Sequence, residues 1–99
     1  MLKSLNDIIE TDYEEIKAMA SVFFTPKQIA IALEIDIASF IHECNTEGSK
    51  CYIAFEGGRL KSEYELRLSI MKLAKSGSSP AQTMALDMLK NSTMKMMEI

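Results

Sequence analysis

The chain has only two prolines and four glycines among its 99 residues, and nowhere do 18 apolar residues run together. So few breakers leave long stretches of Leu, Ile, Met, Ala, Glu and Lys, which is a helical composition. The missing apolar run excludes a membrane-spanning helix. Two cysteines, Cys44 and Cys51, fall far short of a disulfide framework. Asp7, Glu10 and Asp12 stand where a signal peptide needs its apolar core, so the expectation is reduced thiols in a cytosol.

Catalytic residue types are equally scarce. The single histidine, His42, is followed directly by Glu43 and Cys44. Three consecutive residues on a helix point in different directions and cannot converge on one substrate atom. The chain is therefore read as non-enzymatic. His42, Cys44 and Cys51 lack the paired C-x-x-C spacing of a structural zinc site. They read as a surface histidine and two ordinary thiols, with no metal or cofactor implied. Gly57-Gly58 has neither the following Gly-Lys nor the preceding strand of a phosphate-binding loop. It either separates two helical pieces or permits a close backbone approach.

What is present fits one globular domain over residues 1–99, with 47% hydrophobic and 25% charged residues. The net charge of -3 hides an asymmetry. Residues 1–47 carry three lysines against nine acids, and residues 48–99 carry eight Lys or Arg against five acids. No Lys or Arg occurs between Lys27 and Lys50. Any electrostatic contact with nucleic acid is better placed in the second half.

Periodicity predicts all-α architecture. Ile16, Met19, Ala20 and Phe23 recur at helical spacing from about Asp12 to Phe24, with Glu14, Glu15 and Lys17 turned outward. Leu2, Leu5, Ile8 and Ile9 suit a short preceding helix or an arm packing on a neighbour. Thr25-Pro26-Lys27-Gln28 writes out a capping box with proline at the first helical position, opening a helix to about Glu34. Ile37, Phe40, Ile41 and Cys44 predict a third helix to about Asn45, with Gly48 ending the pattern after it. From Lys50 to Lys75 the segment is interrupted near Gly57-Gly58. It then carries Leu60, Tyr64, Leu68 and Met71 on one stripe and Leu66, Ile70, Leu73 and Ala74 on another. Gly77 ends it, and Ser79-Pro80-Ala81-Gln82 begins a last helix with Ala81, Met84, Ala85 and Met88 along one stripe and Leu86 and Leu89 beside it. These two make an antiparallel hairpin. The tail keeps Met94, Met96 and Met97, which suits an adaptable contact surface or a frayed end.

The segment from about residue 12 to 47 reads as a helix-turn-helix unit, and that from about 50 to 97 as an oligomerisation hairpin. A bihelical DNA reader needs a small residue at the helix crossing, a tight turn and apolar anchors on both sides. Ala30, then Leu33 and Ile35, then Phe40 supply them. The reading helix would present Ser39, His42, Glu43 and Asn45 to bases, and Arg59, Lys61 and Arg67 would supply the phosphate contacts it lacks. Against this, Glu34 stands where such turns usually have glycine, and the same basic residues also suit a solvated face balanced by Glu63 and Glu65. Leu60, Tyr64, Leu68, Met71, Met84 and Met88 form a wider apolar surface than so small a bundle covers, which points to a homo-oligomer.

The order "FTPKQIAIALEID", then "CYIAFEGGRLKSEYELRLSIMKLAKSGSSPAQTMALDML", resembles helix-turn-helix proteins of tailed phages and prophages that serve as small terminase, or DNA-packaging, subunits. The matching positions are Ile29, Ala30, Leu33 and Ile35, then Ala54, Phe55 and Gly58, then Leu66, Ile70, Leu73, Ala74 and Gly77. The resemblance runs from about Phe24 to Leu89. It implies a subunit that recognises double-stranded viral DNA, assembles as a ring and regulates a large ATPase-nuclease partner in a bacterial host cytoplasm. Glu34 in place of the turn glycine, the acidic reading helix and the short stretch beyond Asn91 depart from the pattern. A small transcriptional regulator built on the same unit, and an adaptor that keeps it for protein contacts only, are the alternatives.

Overall fold

The long periodic stretches are helical in the computed structural model, which describes residues 2–98. A short 3-10 turn, Leu5–Asp7, precedes five helices: α1 Glu10–Ser21, α2 Pro26–Leu33, α3 Ile37–Cys44, α4 Lys50–Lys75 and α5 Ser79–Met96. Among the described residues no strand forms, so the fold is all-α. None of these helices is long and apolar enough to cross a membrane.

The helix starts follow the capping chemistry written in the sequence. The Gln28 N–H donates to Thr25 Oγ1 at 3.2 Å, and the Thr25 N–H donates to Gln28 Oε1 at 2.9 Å, closing the capping box of α2. The Asp36 carboxylate accepts from the Ser39 N–H at 3.0 Å to open α3. Ser78, not Ser79, caps α5, with its hydroxyl accepting from the Ala81 N–H.

Three expectations change. Helix α1 begins at Glu10, before Asp12, because the Asp12 carboxylate reaches back to the Ile9 N–H at 3.0 Å and sits at the third helical position. It ends at Ser21, before Phe23, because Phe23 turns left-handed at φ 70°. There the Phe24 N–H donates to the Met19 carbonyl and the Phe23 N–H to that of Ala20, a Schellman closure. Finally, Gly57-Gly58 does not interrupt α4, which runs unbroken to Lys75. Of the two readings of that pair, the close approach is the one seen: Gly58 is buried, and a Cβ built on it would lie 3.1 Å from Lys17 Cα.

The chain divides into two units, one reaching Glu63 and one beginning at Tyr64, with the division inside α4. The first unit holds the core. Ile16, Ile29, Ile35 and Phe40 are fully buried, together with Ala20 and Ala30, and Cys44, Cys51, Phe55 and Ile8 complete the cluster. Helix α2 packs on α1 and α3, and the first turns of α4 contribute Cys51 and Phe55. Burying one side chain such as Phe40 contributes about 1.5–3 kcal/mol. The N-terminal arm belongs to this unit too, since Ile8 is buried in the core and Lys3 pairs with the stretch after α2.

The second unit is the end of α4 with α5. Gly77, at φ 104°, makes the turn, and the Ser78 N–H donates to the Leu73 carbonyl at 3.0 Å. Gln82 Nε2 donates to the Ala74 carbonyl at 3.1 Å and ties the helices beside the turn. Within this unit only Ala81 is buried among the described residues, and Ile70, Ala74, Ala85 and Met88 are half-buried.

Candidate nucleic-acid interface

The α2–α3 connection is built from three residues, Glu34, Ile35 and Asp36. Glu34 adopts φ 57° and ψ 44°, the left-handed conformation that closes a helix. The Ile35 N–H then donates to the Ala30 carbonyl at 2.9 Å, and the fully buried Ile35 side chain drops into the core beside Ala30. Ala30 and Phe40 are fully buried and Leu33 is half-buried.

Lys3 fastens this connection from outside, a role that no local pattern signalled. Its N–H donates to the Glu34 carbonyl at 2.6 Å, and its carbonyl accepts from the Asp36 N–H at 3.0 Å. Its Nζ lies 3.0 Å from Asp12 Oδ1. The Ile9 N–H and the Lys3 ammonium together hold the Asp12 carboxyl below the usual carboxylate range. One residue thus couples the start of α1 to the bend between α2 and α3.

Helix α3 displays the residues expected to face a ligand unequally. His42 is exposed, and Ser39 and Glu43 are half-buried. Asn45 is exposed, but its Nδ2 donates to the Ile41 carbonyl at 3.0 Å and so caps the helix end. A free helix N-terminus attracts phosphate, yet here Asp36 occupies it. The Ser39 hydrogen bonds hold the Asp36 carboxyl below its ordinary range, so the cap stays anionic near neutrality. The N-terminal end of α3 therefore already carries its own anion.

Positive charge gathers elsewhere in the first unit. Lys17 from α1 with Lys50 and Lys61 from α4 line a groove of about 440 Å³, together with Ile53, Ala54 and Gly57. Tyr13 lies in the same groove, with Lys50 Nζ 5.9 Å from its ring centroid. Burial pushes the Tyr13 hydroxyl pKa up, so the ring stays neutral. Glu10 and Glu14 stand on the groove wall and partly offset the lysines. Lys61 was expected from sequence. Lys17 and Lys50 were not, because a groove between two helices leaves no spacing within either one.

Arg59 is exposed in the first unit, whereas Arg67 belongs to the second. Of the residues expected to support oligomerisation, exposed Leu60 lies in the first unit. Tyr64, Leu68, Met71 and Met84 are exposed in the second, and Met88 is half-buried there. Cys44 and Cys51 are buried free thiols. Burial, chiefly, pushes the Cys44 pKa up to about 12 and that of Cys51 upward. Neither is therefore set up as a nucleophile. Among the described residues no three His, Cys, Asp or Glu side chains gather to hold a metal ion.

No family model, curated protein or solved structure significantly matches the chain.

Proposed function

We propose that the protein is a non-catalytic DNA-recognition and assembly subunit of the phage-packaging type. In this reading it acts as a homo-oligomer beside a large ATPase-nuclease partner. The observation that carries the reading is the α2–α3 pair: two short helices, a three-residue turn closed by left-handed Glu34, buried Ala30 and Phe40, and exposed His42 on the second helix. A recognition helix must be held rigidly while its outer side chains reach base edges. The brace from Lys3 serves that need.

Affinity comes mainly from phosphate contacts. The lysine groove, with Arg59, supplies them in the first unit, and the acidic turn contributes none. A single copy therefore binds weakly, and several copies on one duplex gain through effective concentration. Anisotropy of a labelled duplex titrated at about 50 mM salt tests the reading, since electrostatic binding is strong there. The expected result is salt-sensitive binding whose sequence preference weakens in His42→Ala while the fold is kept.

Glu34 and Asp36, both just before α3, favour a second reading, an adaptor that uses the same helices for protein contacts. A wild-type chain that stays folded but binds no duplex at that salt removes the DNA-binding reading and favours the adaptor.

A further inference from the structure

We propose that the groove between α1 and α4 is a pocket for one unpaired nucleotide with an amino-bearing base, cytosine or adenine. Its phosphate meets the groove's lysines, and its exocyclic amine meets Glu10 or Glu14. This deepens the DNA-binding side of the proposed function and rests on that reading for the nucleic-acid class of the ligand.

The first observation is Gly57. The close approach of α1 accounts for Gly58, whereas a Cβ built on Gly57 meets nothing within 4 Å. A glycine inside a helix is destabilising relative to alanine, and no internal packing offsets that at Gly57. It lines the groove, on the same face of α4 as Lys50, Ile53 and Lys61. The missing side chain leaves the helix backbone bare in the middle of that face, where a ligand can approach closely.

The second observation is charge of both signs left unpaired. Lys17, Lys50 and Lys61 share the groove with Glu10 and Glu14, yet among the described residues none of these side chains forms an ion pair. Cations stand on both helices and the acids on α1 alone. A ligand that satisfies them carries an anion and a hydrogen-bond donor within a short span. Beside these charges lie the Tyr13 ring, with Lys50 Nζ 5.9 Å from its centroid, and the exposed Ile53 side chain. They give the same ligand an aromatic and apolar surface.

Size and chemistry then choose the ligand. A groove of about 440 Å³ is at the small end for an organic ligand, which suits one nucleotide and not a duplex. The phosphate is the anion, and the cytosine or adenine amine is the donor that a glutamate accepts from. The base face packs against Tyr13 and Ile53, as bases do on aromatic side chains in single-strand grooves. In a duplex the base faces are stacked away, so only an unpaired nucleotide presents all three together. A uniformly acidic segment would leave Glu10 and Glu14 facing like charge.

Anisotropy of short labelled deoxycytidylate and deoxyuridylate strands, titrated with the full chain at about 50 mM salt and neutral pH, tests this. The two bases differ at the amine that the glutamates accept from. The expected result is binding that favours deoxycytidylate about tenfold, the weight of one hydrogen bond to a charged group. Replacing both acids, Glu10→Gln with Glu14→Gln, should remove most of that preference and keep the binding. Gly57→Leu keeps every charge and improves helix propensity, so a thermal melt should show it folded while strand affinity falls about tenfold or more. Equal affinity for the two strands, no strand binding, or a folded Gly57→Leu chain that binds as wild type does overturns the inference. The wild-type comparison and the glutamine variants decide it even if Gly57→Leu fails to fold. A chain that binds duplex but neither strand removes this inference and leaves the proposed function. Strand binding without duplex binding does the reverse.

Discussion

Gly58 of α4 lies directly against the main chain of Lys17 in α1, with no room for a side chain between them: a Cβ on Gly58 would sit 3.1 Å from the Lys17 carbonyl carbon and closer still to its oxygen. Backbone cannot swing aside as a side-chain tip does. Gly58→Ala should therefore force the helices apart and cost about 1–3 kcal/mol, despite the better helix propensity of alanine. Its neighbour is the control. A Cβ on Gly57 meets nothing within 4 Å, so Gly57→Ala should stabilise by about 0.5–1 kcal/mol. Urea unfolding of the two variants checks the opposite signs, and equal shifts would show that the contact does not constrain α1 and α4.

Glu34 holds a left-handed conformation that favours glycine. Its backbone carbonyl, not its side chain, receives the Lys3 N–H, so Glu34→Gly keeps the turn's hydrogen bonds. The expected outcome is stabilisation by up to about 1 kcal/mol, read as a raised urea midpoint. A lowered midpoint would mean that the glutamate side chain supports the turn.

Asp12 gives the stability a defined acid response. Its folded pKa is depressed by the Ile9 N–H and the Lys3 ammonium, so its contribution is fully present above the unfolded value of about 3.9. It is lost as the pH falls through the lower folded value. Melting temperatures of wild type and Asp12→Asn, followed from about pH 7 to pH 2, should differ most near neutrality and converge in acid. A gap that stays constant across that range removes Asp12 as the cause.

The buried thiols make a clock for opening of the first unit. With Cys44 pushed up to about 12 and Cys51 also raised, neither supplies appreciable thiolate near neutral pH. Ellman's reagent at about pH 8 should react slowly with the native protein and with both thiols at once in denaturant. Fast native labelling would place at least one thiol at the surface.

In the proposed DNA-binding reading the lysine groove carries a salt signature. Each of Lys17→Gln, Lys50→Gln and Lys61→Gln should weaken duplex binding and lower the slope of log affinity against log salt by about 1. Lys50→Gln also removes the cation over the Tyr13 ring. Unchanged slopes in all three would exclude the groove as the phosphate-contacting surface of that reading.

Most of the helical layout was legible because its signals are local. Thr25 and Gln28 cap each other three residues apart, and Ile29, Ala30 and Phe40 occupy the buried positions that their spacing assigns. Where such a signal was ambiguous, packing resolved it. A Gly-Gly pair weakens a helix in isolation, but Gly58 is worth its propensity loss because α1 presses against it. The candidate site was less legible. His42 and Lys61 came from residue type and exposure, whereas Lys3, Lys17 and Lys50 acquire their roles from partners on other elements.

The sequence alone determined that the chain is helical, where α2 starts, and that Ile16, Ala20, Ile29, Ala30 and Phe40 face inward, since capping and amphipathic periodicity act within a few residues. Only the tertiary structure decided that Lys3 braces the α2–α3 turn and that Gly58 admits α1. It also decided that the core ends before the hairpin's leucines and methionines are covered. Those outcomes depend on which surfaces meet across long separations in the chain, and no local pattern carries that information.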